Sequence, residues 1–127
     1  MNIALDWHDP QHTLLHLRLE GRWDMNRSRV CIADFKQRVR EVPHRVDLIA
    51  EAVDKDAMNP PVWVLRLGVH GIMSAPPNTG WIVIVPNNTM LLALVHAGLR
   101  VLGERYEGRI HSAATFDDAH QLIGTSR

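Results

Sequence analysis

The sequence predicts an α/β domain in which a β-hairpin is followed by alternating strands and helices. Three observations carry this. Residues alternate apolar and polar on both sides of an early turn signal. Two apolar, β-branched runs, Val46–Ala52 and Trp81–Val85, are flanked by segments with helical spacing. A short segment near the end meets a capping box, Thr115-Phe116-Asp117-Asp118, that opens a final helix. The predicted order is β-β-α-β-α-β-α-β-α over residues 1–127 as a single domain. The architecture is a single layer of mixed sheet with helices packed on it, and its βα units pair in parallel through right-handed crossovers.

The elements follow in order. Ile3, Leu5 and Trp7 alternate with polar or small residues, as a half-buried strand does. Asp9–Pro10–Gln11–His12 is a turn signal, because proline fixes φ and offers no N–H to a ladder. Thr13, Leu15, Leu17 and Leu19 form the apolar side of a second strand, and the two pair as an antiparallel hairpin. Gly21 ends it, with Trp23 placed to cover its end. Asp24 or Asn26 caps a helix running to about Val42, with Ile32, Phe35, Val39 and Val42 on one face and Arg27, Arg29, Lys36, Arg38 and Arg40 mostly towards solvent. Pro43 stops it.

The stretch Arg45–Asp56 holds the third strand, Val46–Ala52, with Asp47 expected as an exposed alternation or a ladder end. It then turns acidic at Glu51, Asp54 and Asp56. Strand ends of this kind are where α/β sheets build their sites. Pro60 or Pro61 suits the first turn of the next helix, in which Val62, Leu65, Val69 and Ile72 share a face. Gly68 and Gly71 each cost such a helix about 1 kcal/mol relative to alanine, which points to close packing or a break near Gly71. Trp81–Val85 reads as a central strand buried on both faces. Thr89 to about Arg105 forms a further helix on Leu91, Leu92, Val95, Leu99 and Leu102. Arg109–Ala114 is a short last strand, and the closing helix ends at Gly124.

Composition narrows the function classes. A chain of 127 residues suits one domain with a real core, and an apolar share of 46% is too high for disorder. Fourteen basic and fourteen acidic residues cancel, so there is no general electrostatic pull towards nucleic acid or an anionic membrane. The single cysteine, Cys31, excludes an internal disulfide and cysteine-based zinc spacing, and a cytoplasmic location is expected. The opening MNIALDWHDP lacks the basic start and long apolar run of a signal peptide. No apolar run approaches the roughly 20 residues of a membrane span.

No residue set stands out as catalytic. His8, His12 and His16 are spaced by four, which on a helix would suit metal ligation, but Pro10 and the strand alternation argue for turn and strand surface. Asp54 and Asp56, with Glu51 near, lack a phosphate-binding glycine loop or a histidine in the same loop, so a solvated acidic loop is favoured over acid–base chemistry. An enzyme would need that loop to meet His70 or His96 in space. Cys31 beside Val30 and Ile32 reads as a small buried hydrophobe rather than a nucleophile. Ser28, Thr115, Asn87 and Asn88 are explained by helix capping. Trp63, with Met58, Leu67 and Met73, marks a partner surface if exposed and core if buried.

The element order, the strand Trp81–Val85 with Pro86–Asn87–Asn88, and the ending RIHSAATFDDAHQLI with its D-x-A pattern at Asp117–Asp118–Ala119 together resemble the STAS domain, the fold of bacterial anti-sigma-factor antagonists. The resemblance covers nearly the whole chain and implies a binding module rather than an enzyme. In typical antagonists a serine or threonine after the third strand is phosphorylated by a partner kinase. That loop maps onto Ala52–Asn59, which has neither residue, and the usual D-x-S/T pattern is Asp54-Lys55-Asp56. Asp56 leaves a permanent charge of about one where a phosphate would carry roughly two. Related STAS-like proteins are linked to lipid-binding CRAL-TRIO folds, which makes an apolar ligand conceivable.

Two functions follow. The first is a protein-interaction or regulatory module that binds a partner, or itself as a dimer, through Asp54, Asp56, Met58, Trp63 and Leu67. The second is a carrier of a small apolar ligand or lipid, held between the Pro60–Ala75 and Thr89–Arg105 helices. Neither calls for a metal, a cofactor, nucleic acid or a membrane span.

Overall fold

The computed structural model describes residues 1–85 and 108–127, together with Ala93 and Ala97, which are helical and exposed. The alternating segments become β1 (Asn2–Trp7) and β2 (Leu14–Glu20), paired antiparallel from Asn2↔Glu20 to Trp7↔Leu15. Asp9 builds their turn. Its carboxylate accepts from the backbone N–H groups of Thr13 and Leu14, both at 3.0 Å, and from Thr13 Oγ1. His12 takes the left-handed conformation there, with φ 57°.

The crossover helix α1 (Met25–Arg40) starts at Asp24, whose side chain accepts from Arg27 N at 2.8 Å. Ser28 is buried in the first turn, and its hydroxyl donates to Asp24 O. β3 (Val46–Ala52) has the predicted bounds. After it comes α2 (Lys55–Met58), a short helix that periodicity does not reveal, then α3 (Val62–Met73), which runs through Gly71 without a break. Pro61 is its N-cap. β4 (Thr79–Val85) starts two residues before the predicted strand, β5 (Ile110–Ser112) is shorter than predicted, and Thr115 caps α4 (Phe116–Thr125), which continues past Gly124. The predicted Thr89–Arg105 helix lies outside the described residues, except for Ala93 and Ala97.

The five strands form one mixed sheet in the order β1-β2-β3-β4-β5, with β2 to β5 parallel. Adjacent β3 residues serve opposite faces, as the two-residue strand period requires. Leu48 joins Leu5, Leu15 and Ile82 beneath Phe35 and Val39 of α1, with Leu65, Val69 and Ile72 of α3 packed against them. Ile49 joins Leu14, Val83 and Ala113 beneath Ala119 and Ile123 of α4. Burial on both faces explains why β3 and β4 read as nearly continuous apolar runs. Among the described residues, no helix is long and apolar enough to cross a membrane.

Asp47 stands at the end of the β2–β3 ladder, one of the two expectations, and corrects the other, since it is not exposed. Its side chain is fully buried beside an irregularity in the β3–β4 register. Oδ1 accepts from Arg45 Nε at 2.8 Å and Trp81 N at 2.7 Å, and Oδ2 accepts from Arg127 Nη2 at 2.6 Å and Nε at 3.1 Å. Arg45 Nη2 also donates to Ser126 Oγ at 2.7 Å, and Arg127 Nη2 to Thr13 O at 3.0 Å. A buried carboxylate is tolerable when charge-assisted donors surround it. Gly80 makes room for this group, because a Cβ there would run into the Asp47 carboxylate and the Arg45 side chain. The network pins the end of α4 to the amino-terminal edge of the parallel strands. Ligand sites in open α/β sheets form at the opposite edge.

Candidate functional site

At that opposite edge, the chain leaves β3 and reaches Asp54, the N-cap of α2. One Asp54 oxygen accepts from Ala57 N at 2.9 Å, and the other accepts from Gly21 N, also at 2.9 Å. Gly21 has φ +89°, a conformation that favours glycine. Asp54 therefore ties the crossover after β2 to the crossover after β3. Trp23 adds a second tie, donating from Nε1 to Ala57 O at 3.2 Å. Asp56 is exposed on the first turn of α2, where a carboxylate suits the positive end of the helix dipole.

Met58, Trp63 and Leu67 are all half-buried along the α2–α3 segment. Trp63 and Leu67 stand four apart, on one side of α3. The five predicted residues thus occupy one continuous segment in different roles. Asp54 is engaged by two backbone donors, Asp56 faces solvent, and the three large apolar side chains are partly open. α3 is apolar at most of its positions, VWVLRLGVHGIM, yet none of its residues is buried, and Val62 is 66% exposed.

Beneath α3 lies an apolar cavity of about 230 Å³, bounded by the sheet and by α1. Leu17, Phe35, Leu48, Leu65 and Ile82 are among its walls. The carrier reading placed a cavity between α3 and the Thr89–Arg105 segment. This one lies between α3, α1 and the sheet, and that segment is outside the described residues. Cys31 borders it. Burial chiefly, with nearby Asp34, pushes the thiol up to about 11 against the opposing pull of Arg38. A protonated thiol is a poor nucleophile near neutral pH.

Among the described residues, His8, His16 and His120 gather around Phe116 without forming a metal-binding group. His12 stacks on Trp7 with ring centroids 4.3 Å apart, while His8 and His16 contact Phe116 of α4 at 5.0 and 4.4 Å. His16 Nε2 lies 3.1 Å from Glu51 Oε1, so Glu51 belongs to this face of the sheet and not to the α2 loop. Among the described residues no group of three or more His, Cys, Asp or Glu side chains is placed to hold a metal ion. Trp81 is half-buried and stacks on His111 at 3.8 Å. His70 faces α1 across a groove, and His96 lies outside the described residues.

The sequence reading missed the roles of Asp47 and Gly21. Their partners lie up to 80 residues away in the chain, and no local pattern announces such a pairing. A glycine just after a strand is a weak signal for Gly21.

The fold and the segment after β3 define an α/β domain with a five-stranded mixed sheet and an apolar, partly open helix at its carboxyl edge. No protein-family model matches the chain, and neither the curated proteins nor the solved structures contain a match.

Proposed function

We propose that this chain is a STAS-like protein-interaction or regulatory module that works without a Ser/Thr phosphoacceptor. The observation that carries the reading is α3. It is an apolar helix with no buried residue, and it starts just beyond the loop where an acceptor would stand. The opening hairpin and the parallel strands that follow it support the same reading. In this account Asp54 sets the loop, Asp56 contributes a fixed charge at the rim, and Met58, Trp63 and Leu67 form the contact. The partner is a protein or a second copy of the chain, in a bacterial cytoplasm, and the module is not catalytic.

Covering side chains of this size contributes about 1.5–3 kcal/mol each when burial is complete. Large aromatic anchors dominate interfaces of this kind. The double change Trp63→Ala and Leu67→Ala is expected to weaken partner capture or self-association at least tenfold, read by quantitative pull-down and by sedimentation velocity. A monodisperse wild-type protein whose capture profile equals that of the double variant overturns the reading.

The cavity of about 230 Å³ supports a second reading, a carrier for a small apolar ligand. Pockets for drug-sized ligands usually run from about 300 to 1,000 Å³, so this volume suits only a small occupant, and interaction remains the preferred function. Native mass spectrometry of freshly purified protein decides it. Ala50 also lines the cavity; a co-purifying apolar mass that disappears in an Ala50→Leu variant supports the carrier, and repeated absence of any such mass removes it.

A further inference from the structure

A second groove, of about 670 Å³, lies between α1 and α3. Arg29, Lys36 and Arg40 line its α1 side. Their spacings of seven and four residues place them on one helix face. His70 stands opposite on α3, and the half-buried Ile32 and Leu67 provide apolar surface within the groove. The two helices lie close at Gly71, where a Cβ would make ordinary contact with Ile32 at 3.4 Å. Among the described residues, no carboxylate lines the groove.

The positive charge is local and largely unmatched. Arg38, one position round the helix, is paired with Asp34 at 3.1 Å. Arg29 and Arg40 have no side-chain hydrogen bond or ion pair among the described residues, and Lys36 donates to Ser74 Oγ. Three cations therefore border a mixed groove that also presents Ile32 and Leu67, on a chain of zero formal charge. The row from Arg29 to Arg40 spans about 16 Å, or roughly three helical turns.

We propose that this groove docks an acidic amphipathic helix of a partner protein. An apolar ridge at i, i+3 and i+4 would seat on Ile32 and Leu67. Carboxylates flanking that ridge would meet Arg29, Lys36 and Arg40 in the same period. The apolar residues are half-buried between two helices, where a convex ridge reaches them and a flat lipid surface does not. The groove shares Leu67 and Met73 with the surface around Trp63 and does not depend on the STAS-like reading.

The test uses the full chain and a fluorescein-labelled synthetic peptide with leucine on one helical face and glutamate on the flanks. A leucine–lysine peptide of the same pattern and phosphatidylcholine–phosphatidylglycerol vesicles serve as comparisons. Saturable anisotropy is expected with the acidic peptide, falling as salt rises, and at least tenfold weaker for Arg29→Glu combined with Arg40→Glu. Arg29→Gln combined with Arg40→Gln is expected to fall between, and the charge variants are expected to keep the wild-type melting temperature. Absence of binding, equal binding by the charge-reversed variant, or preference for the lysine peptide overturns the proposal. Vesicle binding that requires Arg29 and Arg40 while the acidic peptide is ignored also overturns it, and reassigns the groove to anionic lipid.

Discussion

Asp47 lies at the start of β3 and Asp54 just beyond its end, and each is held by donors from distant parts of the chain. Gly80 is part of the first arrangement. Gly80→Ala is expected to lower stability by about 3 kcal/mol, an overpacking cost at the upper end of the usual range because a charged cluster must move. Gly68→Ala is expected to be neutral or to stabilise by up to about 1 kcal/mol, since a Cβ there meets nothing within 4 Å and alanine is the better helix former. Urea midpoints measured side by side check both, and equal effects would contradict the packing described at Gly80. Asp9 gives a pH-dependent case. Burial raises its carboxyl, but hydrogen bonds from the Thr13 hydroxyl and from the Leu14 and Thr13 backbone outweigh this and hold it below its ordinary value of 3.8. A lowered pKa means that the ionised form stabilises the fold above the unfolded-state value and that this contribution is lost as pH falls through the folded value. Asp9→Ala is therefore expected to be less stable than wild type at pH 7. The difference should shrink as the pH drops below 3.8, as thermal melts across that range would record.

At the scale of elements, the segment from β3 to α3 joins sheet to surface. Asp54→Ala removes both the α2 cap and the tie to Gly21 N, and is expected to cost about 2 kcal/mol. Asp56→Ala, on an exposed turn, is expected to stay within about 0.5 kcal/mol of wild type. Chemical denaturation separates the two, and similar losses would mean that Asp56 also has a structural partner. Much of this architecture was legible in the sequence. Alternation located β1 and β2, Asp24 and Thr115 announced the starts of their helices, and the apolar run of β3 gave its bounds. What stayed hidden has physical reasons. α2 has four residues, too few for a helical period to show. A lone aspartate near a strand start looks solvent-facing until Arg45 and Arg127 are seen around it. Trp63 and Leu67 were identified as candidate surface residues, but half-burial is set by how α3 lies on the sheet and cannot be read from spacing. The division of helices between two sheet faces was equally hidden, since an apolar stripe does not say which face it covers.

For the whole molecule, the two faces of the sheet have different characters. α4 packs on one face through Ala119 and Ile123, over Leu14, Ile49 and Val83, and the Asp47 cluster locks its end. The other face carries α1 and α3 over a small apolar cavity, with partly open apolar side chains beyond it. Both faces carry buried core, and half-buried apolar side chains gather along α3. The central claim is that the surface around Trp63 and Leu67 is where this domain meets its partner or its own copy. Quantitative affinity capture compares it directly, using tagged wild type and the Trp63→Ala/Leu67→Ala variant at matched concentration and matched melting temperature, with an untagged copy of the chain present. The account predicts a defined protein, or the untagged copy, retained by wild type and depleted at least tenfold on the variant. Retention of the same proteins in the same amounts by both would contradict it.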